Sequence, residues 1–140
     1  MQTWGFAVSV EGGEMKKFKI ITNNPRVRDT YQDEYEVVFL DVTIKEIMQT
    51  VRDLCAEGYE LLTHPLSGSV KPGETPYKSV LVSQHKGQTT DINGYRLAES
   101  AMSACDKFAP MHKDWSPGVL DDFQLVDYTL ISSGIESAIA

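Results

Sequence analysis

The segment Thr43-Ile44-Lys45-Glu46 constrains this chain most, because it sets the start of a helix between two β-prone runs. In such a capping box the threonine hydroxyl and the glutamate carboxylate each satisfy a backbone amide that the first helical turn leaves open. Ile44, Ile47, Met48, Val51, Leu54 and Cys55 then recur at helical spacing, and Gly58 supplies a left-handed terminator. Residues 35–40 ahead of the box are continuously apolar or β-prone, which suits a strand buried on both faces of a largely parallel sheet. Residues 59–63 behind it read as another strand. Strand, helix and strand in succession point to an α/β fold.

The flanking sequence extends this pattern. Residues 18–22 form a short apolar run ending at Asn23-Asn24-Pro25, where Asn24 caps a short helix opened by Pro25. Residues 79–83, Ser-Val-Leu-Val-Ser, make a fourth strand. Thr90 or Asp91 then caps a helix reaching about residue 108, with Ile92, Tyr95, Ala98, Met102 and Cys105 as its stripe and Gly94 weakening its first turn. Residues 109–118 read as a linker, and residues 120–139 as an amphipathic terminal helix with Gly134 as a candidate break. The expected architecture is a single three-layer, Rossmann-like α/β domain with a mostly parallel four-stranded sheet, one antiparallel strand and flanking helices. The first three strands are expected to be parallel and the fourth, reached without a clear helix, antiparallel.

At 140 residues with 41% hydrophobic residues, the chain suits one compact core. The expected organisation is an N-terminal extension over 1–14, an α/β core domain over 15–110, and a C-terminal linker and helix over 111–140. Met15-Lys16-Lys17 resembles a second translation start, so the extension reads as an upstream overrun, an edge strand or an arm. The terminal helix has two uses open to it, packing on the sheet or association into a homo-oligomer.

A formal charge of −7 argues against nucleic acid as a partner, since phosphate contacts need a basic face. No apolar stretch approaches the roughly 20 residues that span a bilayer, and no basic region opens a secretory signal. A cytoplasmic protein without membrane association is expected. The two cysteines, Cys55 and Cys105, form neither a Cys-x-x-Cys pair nor a Cys/His cluster. No metal or cofactor is expected, and the thiols read as buried structural groups, with a redox auxiliary role as the weaker option. Asp33-Glu34 and Asp121-Asp122 read as solvated surface.

Function concentrates on residues 64–79, a long irregular segment between two strand-like runs. In an open α/β sheet, ligands bind beyond the carboxyl ends of the strands. There the first strand delivers Asn23 and Asn24, the second Asp41 and the helix capped by Thr43, and the third His64 with the long loop. Helix N-termini at that edge suit a phosphate or carboxylate, although capping alone is the simpler use of Asn24 and Thr43. Lys71, Lys78 and Arg26 or Arg28 supply charge. His64 suits a general acid or base, or a hydrogen bond to a neighbouring carbonyl that fixes the loop. The candidate ligand set is Asn23, Asn24, Thr43, His64, Ser67, Gly68, Ser69, Lys71, Glu74, Thr75, Tyr77 and Lys78. Neither a Gly-x-Ser-x-Gly elbow nor a phosphate-binding P-loop is present. Two readings compete: an accessory protein without catalysis that binds a protein partner or small anion, and a small enzyme that uses His64 on an anionic metabolite.

Three stretches carry a wider resemblance: Ile21-Thr22-Asn23-Asn24-Pro25, Val51-Arg52-Asp53, and the unbroken run from Thr63-His64-Pro65 through Lys71-Pro72-Gly73 to Pro76-Tyr77-Lys78-Ser79. On these the chain resembles the GrdX family, small proteins whose genes accompany those of the glycine, sarcosine and betaine reductase complexes of amino-acid-fermenting anaerobes. The resemblance runs from about residue 15 to residue 108. It implies a cytoplasmic protein tied to the glycine reductase system and carries over no catalytic residues; on the accessory-protein reading the partner is a reductase component or a small anion.

Overall fold

The computed structural model describes residues 18–65, 75–107 and 115–139. Strand β1 (Phe18–Thr22) leads into helix α1 (Pro25–Tyr31), strand β2 (Glu36–Phe39) and helix α2 (Ile44–Glu57). Strand β3 (Ser79–Ser83), helix α3 (Ile92–Lys107) and helix α4 (Pro117–Ile139) follow. Among the described residues this is a mixed α/β fold with four helices and an open three-stranded sheet in the order β2-β1-β3. Strand β1 is parallel to β2, with Ile20 opposite Val37, and antiparallel to β3, with Ile20 opposite Leu81.

Alternation along the strands divides the core in two. Ile21, Val80 and Val82 pack with Ile47, Met48, Val51 and Cys55 of α2 and with Ala98 and Ala101 of α3. Phe18, Ile20 and Leu81 point the other way, onto Val27 of α1 and onto Ile131 and Ile135 of α4. Helices thus cover both faces, and β1 is buried on each side. Each of the buried Ile, Val, Leu, Met and Phe side chains contributes roughly 1.5–3 kcal/mol by leaving water.

The expected four-stranded sheet is reduced to three strands. Residues 59–63 form no strand; Leu61 makes an isolated antiparallel bridge to Val82. Leu62 N–H donates to Leu81 O at 2.9 Å and Ser83 N–H to Glu60 O at 2.8 Å. At either end a side-chain hydroxyl replaces the backbone: Leu81 N–H donates to Thr63 Oγ1 at 3.0 Å and Glu60 N–H to Ser83 Oγ at 2.8 Å. A hydroxyl standing where a ladder group would stand ends regular pairing. The segment therefore lies antiparallel beside β3, and so runs in the same direction as β1 and β2 as expected, but it pairs too irregularly to count as a strand.

Local signals fix the helix ends. Thr43 and Glu46 form both bonds of the capping box, and Gly58 closes α2 at φ 115°. A Cβ at Gly58 would also meet the Gly87 carbonyl oxygen at 2.7 Å. Asp91 caps α3, accepting from Gly94 N–H at 3.1 Å, while its other oxygen accepts from Leu61 N–H at 2.9 Å. Gly94 is required there by space, because a side chain would collide with Asp91 and Cys55. Helix α4 begins at Pro117 and passes through Gly134 without the expected break. The missing side chain at Gly134 lets α4 approach Thr63, whose Cγ2 would lie 3.1 Å from a Cβ. The N-terminal extension and most of the expected linker lie outside the described residues.

Replacement Gly58→Ala combines left-handed strain with that carbonyl contact, and urea denaturation should show a loss of about 2 kcal/mol. Gly118→Ala, which meets nothing within 4 Å in the first turn of α4, should instead be neutral or gain about 0.5 kcal/mol.

Candidate functional site

The carboxyl end of β1 carries three buried polar residues, Thr22, Asn23 and Asn24. Their partners come from every element that reaches this edge. Asn23 Nδ2 donates to Val42 O and Pro76 O, both at 2.9 Å, and its Oδ1 accepts from Lys78 N–H at 2.9 Å. One side chain thereby joins the turn before α2 to the stretch leading into β3. Asn24 Oδ1 accepts from Arg26 N–H at 3.0 Å and caps α1. Its Nδ2 donates to Gln124 O and Asp127 Oδ2 of α4, each at 3.0 Å. A side-chain amide has two N–H donors, so both asparagines have spent theirs inside the protein.

Asp127 lies at the centre of this network and is only 5% exposed. Its Oδ1 accepts from Ser79 N–H at 3.0 Å; its Oδ2 accepts from Ser79 Oγ at 2.6 Å as well as from Asn24. Thr22 Oγ1 lies 2.6 Å from Ser79 Oγ and accepts from Asn24 N–H at 2.9 Å. The single proton of Ser79 goes to Asp127, so Thr22 donates to Ser79, and the chain of bonds runs Thr22 to Ser79 to carboxylate. Gln124 Nε2 adds a bond to Tyr77 Oη at 3.0 Å, and Tyr77 N–H donates to Thr75 Oγ1 at 3.2 Å.

A cleft of about 320 Å³ opens beside the network. Thr63, His64 and Lys78 line one wall, and Leu130, Ser133 and Ser137 of α4 line the other, with Gly134 between them. Burial pushes the Lys78 ammonium below the usual lysine range, opposed by attraction to Asp127. His64 is exposed.

The residues singled out from the sequence separate into three groups. Asn23, Asn24, Thr75, Tyr77 and Lys78 meet at the strand edge, and His64 joins Lys78 on the cleft. Thr43 stands apart, exposed, with Glu46 Oε1 3.1 Å from its N–H, so the start of α2 is closed by its own carboxylate. Ser67, Gly68, Ser69, Lys71 and Glu74 lie outside the described residues. Sequence reasoning missed Ser79, Asp127, Ser133 and Ser137. One signal existed for Asp127: it sits one and two turns ahead of Ile131 and Ile135, on the buried stripe of α4.

The cysteines are poor nucleophiles. Burial, with the Asp91 charge behind it, pushes the Cys55 thiol up from 9.0 to about 11, and burial also raises Cys105. No helix among the described residues is long and apolar enough to cross a membrane. Among the same residues, no group of three or more His, Cys, Asp or Glu side chains comes together as a metal site.

Fold and site define a small α/β protein with a cleft between its sheet edge and its terminal helix. The chain belongs to the GrdX-like protein family, which it matches over residues 19–136. That match takes in α4 as far as Glu136 and so extends past the residue-108 limit read from the sequence. Comparison with curated proteins and with solved structures gave no match.

Asp127→Ala leaves the amide and hydroxyl of Ser79 and the Asn24 amide without their acceptor, and should cost about 2–4 kcal/mol in urea denaturation. For Cys55 the fold favours the neutral thiol, so its contribution to stability falls as pH rises from 9.0 towards about 11. Mass spectrometry after iodoacetamide treatment at about pH 8 should show Cys55 alkylated roughly 100-fold more slowly in the folded than in the unfolded chain, since thiolate is the reactive form.

Proposed function

We propose that the protein is an accessory component of the glycine reductase system that binds a small anionic ligand in the cleft between His64, Lys78 and α4. One observation carries the reading: the two ends of the long loop bring an imidazole and an ammonium to one cleft, opposite the serines of α4. Lys78 supplies charge, while His64, Ser133 and Ser137 offer hydrogen bonds to phosphate or carboxylate oxygens. A volume of about 320 Å³ suits a metabolite-sized ligand. Asn23 and Asn24 act behind the cleft, Asn23 by holding the Lys78 backbone and Asn24 by holding α4. Family membership supports the link to glycine reductase, and a reductase component is the proposed protein partner.

The second reading is a small enzyme acting on an anionic metabolite with His64 as general acid or base. It is favoured by the exposure of His64 on the same cleft.

A thermal-shift comparison with inorganic phosphate, acetyl phosphate, glycine and purified reductase components tests the reading. Phosphate or acetyl phosphate at about 100 times its Kd should add about 2.7 kcal/mol and raise Tm by several degrees. His64→Ala and Lys78→Gln, checked for folding by circular dichroism, should abolish the rise. A rise unchanged in both variants, or none with any anion, contradicts the cleft as the anion site. A change in substrate turnover with His64→Ala would favour the enzyme.

A further inference from the structure

Helix α4 presents a second surface that borders the cleft at Leu130 and otherwise lies outside it. Most of the large apolar side chains left exposed in the described structure lie on this helix: Val119 is 39% exposed, Leu125 48%, Val126 42% and Leu130 37%. Val119, Val126 and Leu130 follow one another at helical spacing along a single stripe, and half-buried Phe123 continues it. Trp115 packs edge-on against Phe123 at 5.4 Å and extends the apolar strip at its start. From Val119 to Leu130 the stripe is about three turns long. Isolated exposed aliphatics need no explanation, but a contiguous row on one helix marks an interaction surface.

Charge decides between occupants. Helix α4 contains Asp121, Asp122, Asp127 and Glu136 and no Lys, Arg or His. Asp127 is consumed in the core, whereas Asp122 is exposed within the face, three residues after Val119 and four before Val126. Glu136 lies on the same flank as Asp122, a few turns on. A second copy docked helix against helix would set these carboxylates against their own kind with no cation on either side. An anionic lipid surface meets the same repulsion. A helix with apolar anchors and basic flanks satisfies both features.

We propose that this face of α4 docks a basic amphipathic helix of another protein. Apolar anchors of the partner at helical spacing seat on Val119, Phe123, Val126 and Leu130, and its Lys or Arg side chains meet Asp122 and Glu136. The inference goes beyond anion binding and stands without it, because Val119 and Val126 do not line the cleft.

The probe is a fluorescein-labelled amphipathic peptide of leucine and lysine, roughly 18 residues long so that it is helical, read by anisotropy against the full chain at physiological salt. A leucine and glutamate peptide of the same pattern is the control. The lysine peptide should bind and the glutamate peptide should not. The double variant Val119→Ser/Val126→Ser should weaken binding about tenfold, and Asp122→Asn about threefold with a shallower salt dependence. The double variant should keep its thermal response to phosphate, so failure of this proposal and failure of the cleft reading are separable. Equal binding of both peptides, or affinity unchanged in the double variant, overturns the proposal. So does a dimer in the free chain that Val119→Ser/Val126→Ser dissociates, since the occupant is then a second copy.

Discussion

A single buried carboxylate holds the parts of this protein in register. Withdrawing an ionised aspartate from water costs several kcal/mol, and at Asp127 that cost is offset by donors from β3 and from the cap of α1. The three donors belong to two residues far apart in the chain, Ser79 and Asn24, so the bonds form together only when α4 lies on the sheet at one height and rotation. The apolar contacts of Ile131 and Ile135 with Phe18, Ile20 and Leu81 attract α4 to that face. Apolar burial is indifferent to small slides along the sheet; the carboxylate is not. The cleft inherits its shape from this registration, because its α4 wall begins three residues after Asp127.

The strand-end asparagines illustrate how a polar edge can look like a binding site and serve as a joint. Asn23 and Asn24 stand where an open α/β sheet commonly meets its ligand. Their amide donors, however, are spent on Val42, Pro76, Gln124 and Asp127. A ligand taking those donors would have to break the bonds that hold the edge together. What the edge gains is a fixed position for the Lys78 backbone, and so the candidate chemistry moves outward to Lys78, His64 and the serines of α4.

What the sequence revealed depended on how far apart the determining residues are. Helix α2 was legible from end to end, because Thr43, Glu46 and Gly58 act on neighbouring backbone, and Asn24-Pro25 marked α1 for the same reason. The antiparallel direction of β3 and the placing of helices on both sheet faces also followed from element order. The fate of residues 59–63 did not, since it turns on Thr63 and Ser83 hydroxyls bonding a chain segment some twenty residues away. Gly134 read as a break because its use is spatial: the missing side chain admits Thr63. Asp127 escaped notice because a lone carboxylate on a helix resembles surface until the buried stripe through Ile131 and Ile135 is aligned with it. His64 and Lys78 were found as the two ends of one loop, while their common wall on α4 was not.

The central claim is a division of labour, with Asn23 and Asn24 bonding the frame together and the cleft beside α4 receiving the anion. A ¹H–¹⁵N correlation titration of the full chain with inorganic phosphate tests it most directly, because backbone and side-chain amides report separately in one spectrum. The account predicts that the backbone amides of His64, Lys78, Ser133 and Ser137 shift with a common saturation curve while the side-chain NH₂ signals of Asn23 and Asn24 keep their positions. Early shifts of those two side-chain amides, with Ser133 and Ser137 unmoved, would contradict it and return the site to the strand edge.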